Sequence, residues 1–270
     1  MADQLHADTV VLKGAETIDL QEEGSPGVLL LHGFGDTPQT LSLLARRLHK
    51  SGYSVVAPLL PGHGRTMKAF RSSSADEWID AARQSLAALQ RRSRSVSIAG
   101  LSMGGALAVL AAAGTSDISA LVLIAPYLGM PLHLRVAAAT HRLWGHFAGE
   151  VNGRNPRSIY DPIEREKNLA YGAVTAGALS QLWRVVRRAR KALPTVKAPT
   201  LIIQSREDPR ITPKVAESAL RSIGASEKRI IWTEGAGHII TVDYGRERVF
   251  TETGKWLDAH TQRQPTAVGK

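Results

Sequence analysis

Apolar and polar positions along this 270-residue chain fall into two alternating rhythms. Short apolar runs at 9–12, 28–31, 54–57, 95–99, 120–124, 200–204 and 229–232 are rich in Val, Ile and Leu and end at Gly, Pro, Ser or Asp. Runs of this length with such boundaries predict strands, most of them buried on both faces. Between them the spacing turns helical. Thr37-Pro38 supplies a cap and a first-turn proline, and Leu41, Leu44, Ala45 and Leu48 continue as one stripe. Asp76-Glu77-Trp78 opens another helix, carried on by Ala81, Leu86 and Leu89. Alternating strands and helices predict an α/β fold: a mostly parallel central sheet with helices on both faces and its ligands at the carboxyl ends of the strands.

The interval 126–197 breaks the alternation. It has helical patches, no clear strand, and a break at Asn152-Gly153-Arg154-Asn155-Pro156-Arg157. We read it as a small helical cap inserted over the site, with the core made of residues 1–125 and 198–262. The polar stretch 263–270, which contains Pro265, reads as a flexible tail.

Composition changes the picture in three places. No cysteine is present, which excludes disulfides, thiolate metal sites and cysteine nucleophiles. The net charge of +10 is concentrated in the cap, where twelve Lys or Arg stand against four Asp or Glu. Most of that charge fits the outer side of an amphipathic helix around Leu179, Leu182, Trp183 and Val186; transient contact with a lipid interface is the better functional reading, and a nucleic-acid role is not expected. The first eight residues lack a basic start followed by an apolar stretch, and no apolar run approaches the about 20 residues that span a bilayer, so a cytoplasmic protein is expected.

The chemistry is concentrated at four strand ends. Gly100-Leu101-Ser102-Met103-Gly104 lies between a strand and a small-residue helix, the setting in which a serine on a sharp turn becomes a nucleophile. Asp208 follows the 200–204 strand, with Glu207 as its rival for the acid. His238, after the 229–232 strand and two glycines, is the base. The order Ser, Asp, His differs from the orders of the two best-known serine protease folds. Upstream, the 28–31 strand ends in His32-Gly33-Phe34-Gly35, where an oxyanion hole belongs; the backbone N–H groups of Phe34 and Met103 are assigned to it. His32 reads as structural, and His141 and His146 are spaced to point apart on a helix. No metal is expected, and a dinucleotide fingerprint fails because Pro38 stands where its third glycine belongs.

These segments, together with Pro61-Gly62-His63-Gly64, give a chain that resembles the α/β-hydrolase superfamily from about residue 28 to 257. Within it, the chain is similar to small bacterial carboxylesterases and monoacylglycerol lipases. The resemblance implies a Ser102–Asp208–His238 triad, an oxyanion hole at Phe34 and Met103, no cofactor, and a cap over an apolar acyl pocket. Candidate pocket residues are His63, Leu128, Met130, Leu134, Trp144, Phe147 and Trp183. One departure is Thr66, where similar proteins often carry serine. The expected activity is hydrolysis of short- to medium-chain esters or monoacylglycerols. The same triad could also serve a carbon–carbon bond hydrolase, a thioesterase, an acyltransferase or a slow-turnover receptor.

Overall fold

A computed structural model describes residues 10–145 and 149–261. In chain order the strands are β1 (Ile18–Leu20), β2 (Gly27–Leu31), β3 (Ser54–Ala57), β4 (Val96–Leu101), β5 (Ile118–Ile124), β6 (Glu150–Asn152), β7 (Ala173–Thr175), β8 (Thr200–Ser205) and β9 (Lys228–Thr233). Seven of them form one twisted layer in the order β1-β3-β2-β4-β5-β8-β9. Only β1 runs antiparallel to its neighbour; every other pairing in that sheet is parallel. The helices are α1 (Ser42–Lys50), α2 (Met67–Ser72), α3 (Ala75–Gln90), α4 (Met103–Ala112), α5 (Leu132–Ala139), α6 (His141–Trp144), α7 (Pro162–Lys167), α8 (Ala176–Ala192), α9 (Pro213–Ser222) and α10 (Arg246–His260).

Side chains alternate across a strand, and here both faces are buried. Val28, Leu30, Val55, Leu101, Val122 and Ile203 pack under Leu44 and Leu48 of α1 and Val249, Phe250 and Leu257 of α10. Leu29, Leu31, Ile98, Leu121, Leu123 and Ile202 face the other way, against Trp78 and Leu89 of α3, all of α4, and Leu182 and Val186 of α8. Local signals set the helix starts. Ser74 and Glu77 form a reciprocal capping box at α3. Thr37 caps a 3-10 turn, Pro38–Leu41, that runs directly into α1.

Two expectations are corrected. Residues 10–12 form no strand: Val10 and Leu12 are exposed, and the Leu12 N–H donates to the Gly64 carbonyl at 2.8 Å instead of to a ladder. The sheet edge is taken by β1, which pairs with β3 through its backbone and needs no apolar run. The segment between β5 and β8 does contain strands, because β6 and β7 pair as a short antiparallel ribbon. In that segment α8 packs on α4 and carries α5 and α6. The tail at 263–270, His6, His146 and Phe147 lie outside the described residues.

Candidate active site

The end of β4 forces a tight reversal into α4, and Ser102 occupies it with φ 56° and ψ −117°. A non-glycine residue there is strained by about 1–3 kcal/mol, and such strain clusters at functional positions. The flanking glycines are required by close approach. A Cβ on Gly100 would lie 2.2 Å from the Gly104 carbonyl oxygen, and one on Gly104 would lie 1.9 Å from the Leu31 carbonyl oxygen at the end of β2. The Ser102 N–H donates to the Ile124 carbonyl, and its own carbonyl accepts from Gly105 and Tyr127, so neighbouring backbone holds the strained residue in place.

His238 lies between the other two expected residues. Its Nε2 is 2.8 Å from Ser102 Oγ and its Nδ1 is 2.7 Å from Asp208 Oδ2. An ionised carboxylate only accepts, so Nδ1 carries the proton and Nε2 presents its lone pair to the hydroxyl. All three side chains are nearly enclosed. Burial pushes the Asp208 carboxyl up, but the His238 charge, its hydrogen bond and the N–H groups of Arg210 and Ile211 outweigh burial and hold it below the usual carboxylate range. Gln204 Nε2 also donates to Asp208 Oδ2 at 2.8 Å. Glu207 is exposed and turns away, accepting the Gly235 N–H, so Asp208 is the carboxylate that faces the imidazole.

The loop after β2 lies against the serine: a Cβ on Gly33 would be 3.4 Å from Ser102 Cβ. Among the described residues neither the Phe34 nor the Met103 amide donates to another protein group. His32 braces this loop, its Nδ1 bonded to the Gly33 carbonyl and its Nε2 accepting the Leu60 N–H; burial lowers its pKa to about 4. Sequence reasoning missed Asp36. This buried carboxyl accepts the Thr37 N–H and the Thr40 hydroxyl, each at 2.8 Å. Burial pushes it up to about 6, against the opposing pull of Thr40, Thr37 and the His238 charge.

The pocket candidates divide. Met130, Trp144, Trp183 and Leu134 belong to one apolar cluster continuous with Met103 and Phe34, and the last three are only partly buried. Leu128 and His63 are corrected, since neither has surface open to a ligand. Leu128 is core. His63 bonds Pro61 through Nδ1 and packs its ring edgewise against His32, Phe70 and Trp78; burial drives its pKa well below the usual value. Thr66 caps α2 through its hydroxyl, as a serine would. Among the described residues no group of three or more His, Cys, Asp or Glu could hold a metal ion, and no helix is long and apolar enough to cross a membrane.

Residues 25–244 match the family described as "Serine aminopeptidase, S33" (Hydrolase_4). A thermostable monoacylglycerol lipase of Bacillus sp. (strain H-257) is 30% identical over 93% of this chain and 97% of its own length. A carboxylesterase of Bacillus subtilis (strain 168) is 24% identical over 87% and 93%. A solved structure from work on LipS and LipT, two metagenome-derived lipolytic enzymes, superposes with a TM-score of 0.84 at 32% identity, covering 93% of this chain and all of the other. The Paleococcus ferrophilus monoacylglycerol lipase shares the fold, with a TM-score of 0.77 at 22% identity over 91% and 98%. The chain therefore belongs to this family of esterase- and lipase-like serine hydrolases of the α/β-hydrolase fold.

Proposed function

We propose that the protein hydrolyses carboxylic esters of short- to medium-chain acids, monoacylglycerols among them, through an acyl-enzyme. Ser102 Oγ attacks the ester carbonyl carbon while its proton passes to His238 Nε2. Asp208 holds the imidazole in the productive tautomer and stabilises the imidazolium that forms. The carbonyl oxygen, now an anion, is received by the Phe34 and Met103 amides; Met103 adds the field of the α4 N-terminus. The intermediate collapses, the ester C–O bond breaks, and His238 returns the proton to the departing alcohol. Water, deprotonated by the same nitrogen, then releases the acid and restores the serine.

The observation that carries this reading is the unbroken row Ser102 Oγ, His238, Asp208 on a strained elbow. The bacterial relatives named above, a monoacylglycerol lipase and a carboxylesterase, support esters as the substrate class. The apolar cluster in which Trp144, Trp183, Leu134 and Met130 join Met103 and Phe34 supports an acyl chain as the group held on that side. The outer side of α5 and α6 exposes Leu132, Val136 and Leu143 beside Arg135 and Arg142, which supports transient contact with a lipid interface.

The test is a series of p-nitrophenyl esters and 1-monoacylglycerols of increasing chain length, with aminoacyl p-nitroanilides and acyl thioesters alongside. Multiple turnover of the oxygen esters, lost in Ser102→Ala, is expected. Preferred turnover of anilides or thioesters, or activity that survives the substitution, would overturn the assignment. A single stoichiometric burst without turnover would favour a receptor.

A further inference from the structure

The cap enters the site by its backbone. The Ser158 carbonyl accepts the N–H groups of both His238 and Ile239 at 2.9 Å, and a Cβ on Gly237 would lie 2.1 Å from the Arg157 carbonyl oxygen. Arg210, two residues beyond Asp208, donates to Ser158 Oγ and to the Gly153 carbonyl. The loops bearing the base and the acid are therefore both tied to residues 153–161.

One side chain gathers these ties. Asp243 is fully buried and accepts four main-chain N–H groups, two on each oxygen. Oδ2 takes Gly237 at 2.7 Å and Tyr160 at 2.8 Å; Oδ1 takes Asp161 and Tyr244, each at 2.9 Å. Tyr160 and Asp161 belong to the cap, whereas Gly237 immediately precedes His238. A buried carboxyl group is tolerated only when its polar atoms find partners, and here backbone from both sides supplies them.

We propose that Asp243 is a positioning residue for ester hydrolysis: by clamping cap residues 160 and 161 to the backbone at Gly237, it fixes the direction in which His238 presents Nε2 to Ser102. This rests on the hydrolase reading above and adds the cap's inner chain to the machinery that aims the base. It also assigns the two halves of the cap different work, with 153–161 anchored to the catalytic loops and α5 with α6 packed on α8.

Asp243→Asn is the first test, because either amide orientation turns an NH2 toward two N–H donors. We expect a kcat about 100-fold lower on a short ester, where the cap contributes little binding, with KM within about threefold of wild type. The far-downfield proton NMR signal of His238 Nδ1–H, which needs no substrate, shifts or broadens while the remaining spectrum stays dispersed. A folded Asp243→Asn protein with wild-type kcat and an unchanged signal overturns the proposal. So does a variant whose kcat and KM are lost together with the signal unmoved.

If Asp243→Asn does not fold, Asp161→Pro against Asp161→Ala decides. Both remove the α7 capping side chain, but only proline removes the N–H given to Asp243, and φ −61° at this position already suits proline. A further threefold to tenfold fall in kcat for proline over alanine is expected, with the His238 signal displaced. Equal kinetics and spectra for the two would refute the clamp. Wild-type protein that shows the signal yet hydrolyses no ester would reject the proposed substrate class and leave the clamp to the spectra.

Discussion

Replacing Gly104 with alanine perturbs the elbow and the oxyanion loop at once. The added Cβ would stand 1.9 Å from the Leu31 carbonyl oxygen, 2.4 Å from its carbon and 2.7 Å from the His32 carbonyl oxygen, where ordinary contact begins at 3.4 Å. All three atoms are backbone at the end of β2, so no flexible side chain can yield, and α4 and the 32–36 loop must separate by about 1.5 Å. Overpacking of this kind destabilises by about 1–3 kcal/mol. A misplacement near 1 Å of groups that must converge costs about 100-fold in rate. Gly104→Ala should therefore lower kcat on a p-nitrophenyl ester at least about 100-fold and lower Tm by roughly 2–10 °C. Gly254→Ala in α10 is the control, because its Cβ meets nothing within 4 Å. It should raise Tm by about 1–3 °C, the ordinary gain of alanine over glycine in a helix, with kcat unchanged. Wild-type kcat and Tm in Gly104→Ala would refute the argument that backbone proximity of β2 and α4 builds the site.

Other expected outcomes follow from single residues. Ser102→Gly should abolish ester turnover yet raise Tm by several degrees, since relief of the positive-φ strain is worth about 1–3 kcal/mol; a lowered Tm would contradict the strain. Asp208→Asn should cut kcat by about 10⁴, whereas Glu207→Gln should leave it within about threefold; the reverse ranking would exchange the two carboxylates. Asp36 carries a pH prediction. Its folded pKa of about 6 lies above the ordinary 3.8, so the native state holds the proton more tightly and loses stability as pH rises from about 4 to 6. The loss is on the order of 3 kcal/mol. Asp208, with its carboxyl held low, acts oppositely: its stabilisation is present above about 4 and fades as pH falls below. Asp36→Asn can keep both local contacts, because the Thr40 hydroxyl also reaches the Thr37 carbonyl. The Tm gap between Asp36→Asn and wild type should therefore widen in favour of the variant from pH 4.5 to 7.5, as read by thermal scans; a constant gap would contradict the buried charge.

The central strands were legible because burial on both faces demands unbroken apolar runs, as in 28–31 and 200–204. The edge was not. Ile18–Leu20 is three residues long and only partly buried, whereas Val10-Val11-Leu12 looks more like a strand and pairs with nothing in the sheet. The β6–β7 ribbon escaped for a related reason: Glu150–Asn152 is exposed throughout, and its partner lies some twenty residues away. Ser102, Asp208 and His238, which the structure brings within hydrogen-bond distance, could be picked out in the sequence because each follows a strand's carboxyl end within a short loop. Asp36, Gln204 and Asp243 could not. The meaning of Asp243 depends on N–H groups that converge on it from distant segments, that of Gln204 on the amide it gives to Asp208, and that of Asp36 on its burial; His63 and Leu128 show the converse, since a place in a motif or in an apolar cap segment did not bring their side chains to an open surface.

The central claim is that Ser102 Oγ is the atom acylated, with His238 as the base that activates it. The most direct measurement treats the protein with a p-nitrophenyl alkylphosphonate and maps the adduct by peptide mass spectrometry. One equivalent on Ser102 is expected, absent in Ser102→Ala and formed at least about 1,000-fold more slowly in His238→Ala. Label on any other residue, or equal labelling rates with and without the imidazole, would contradict the account.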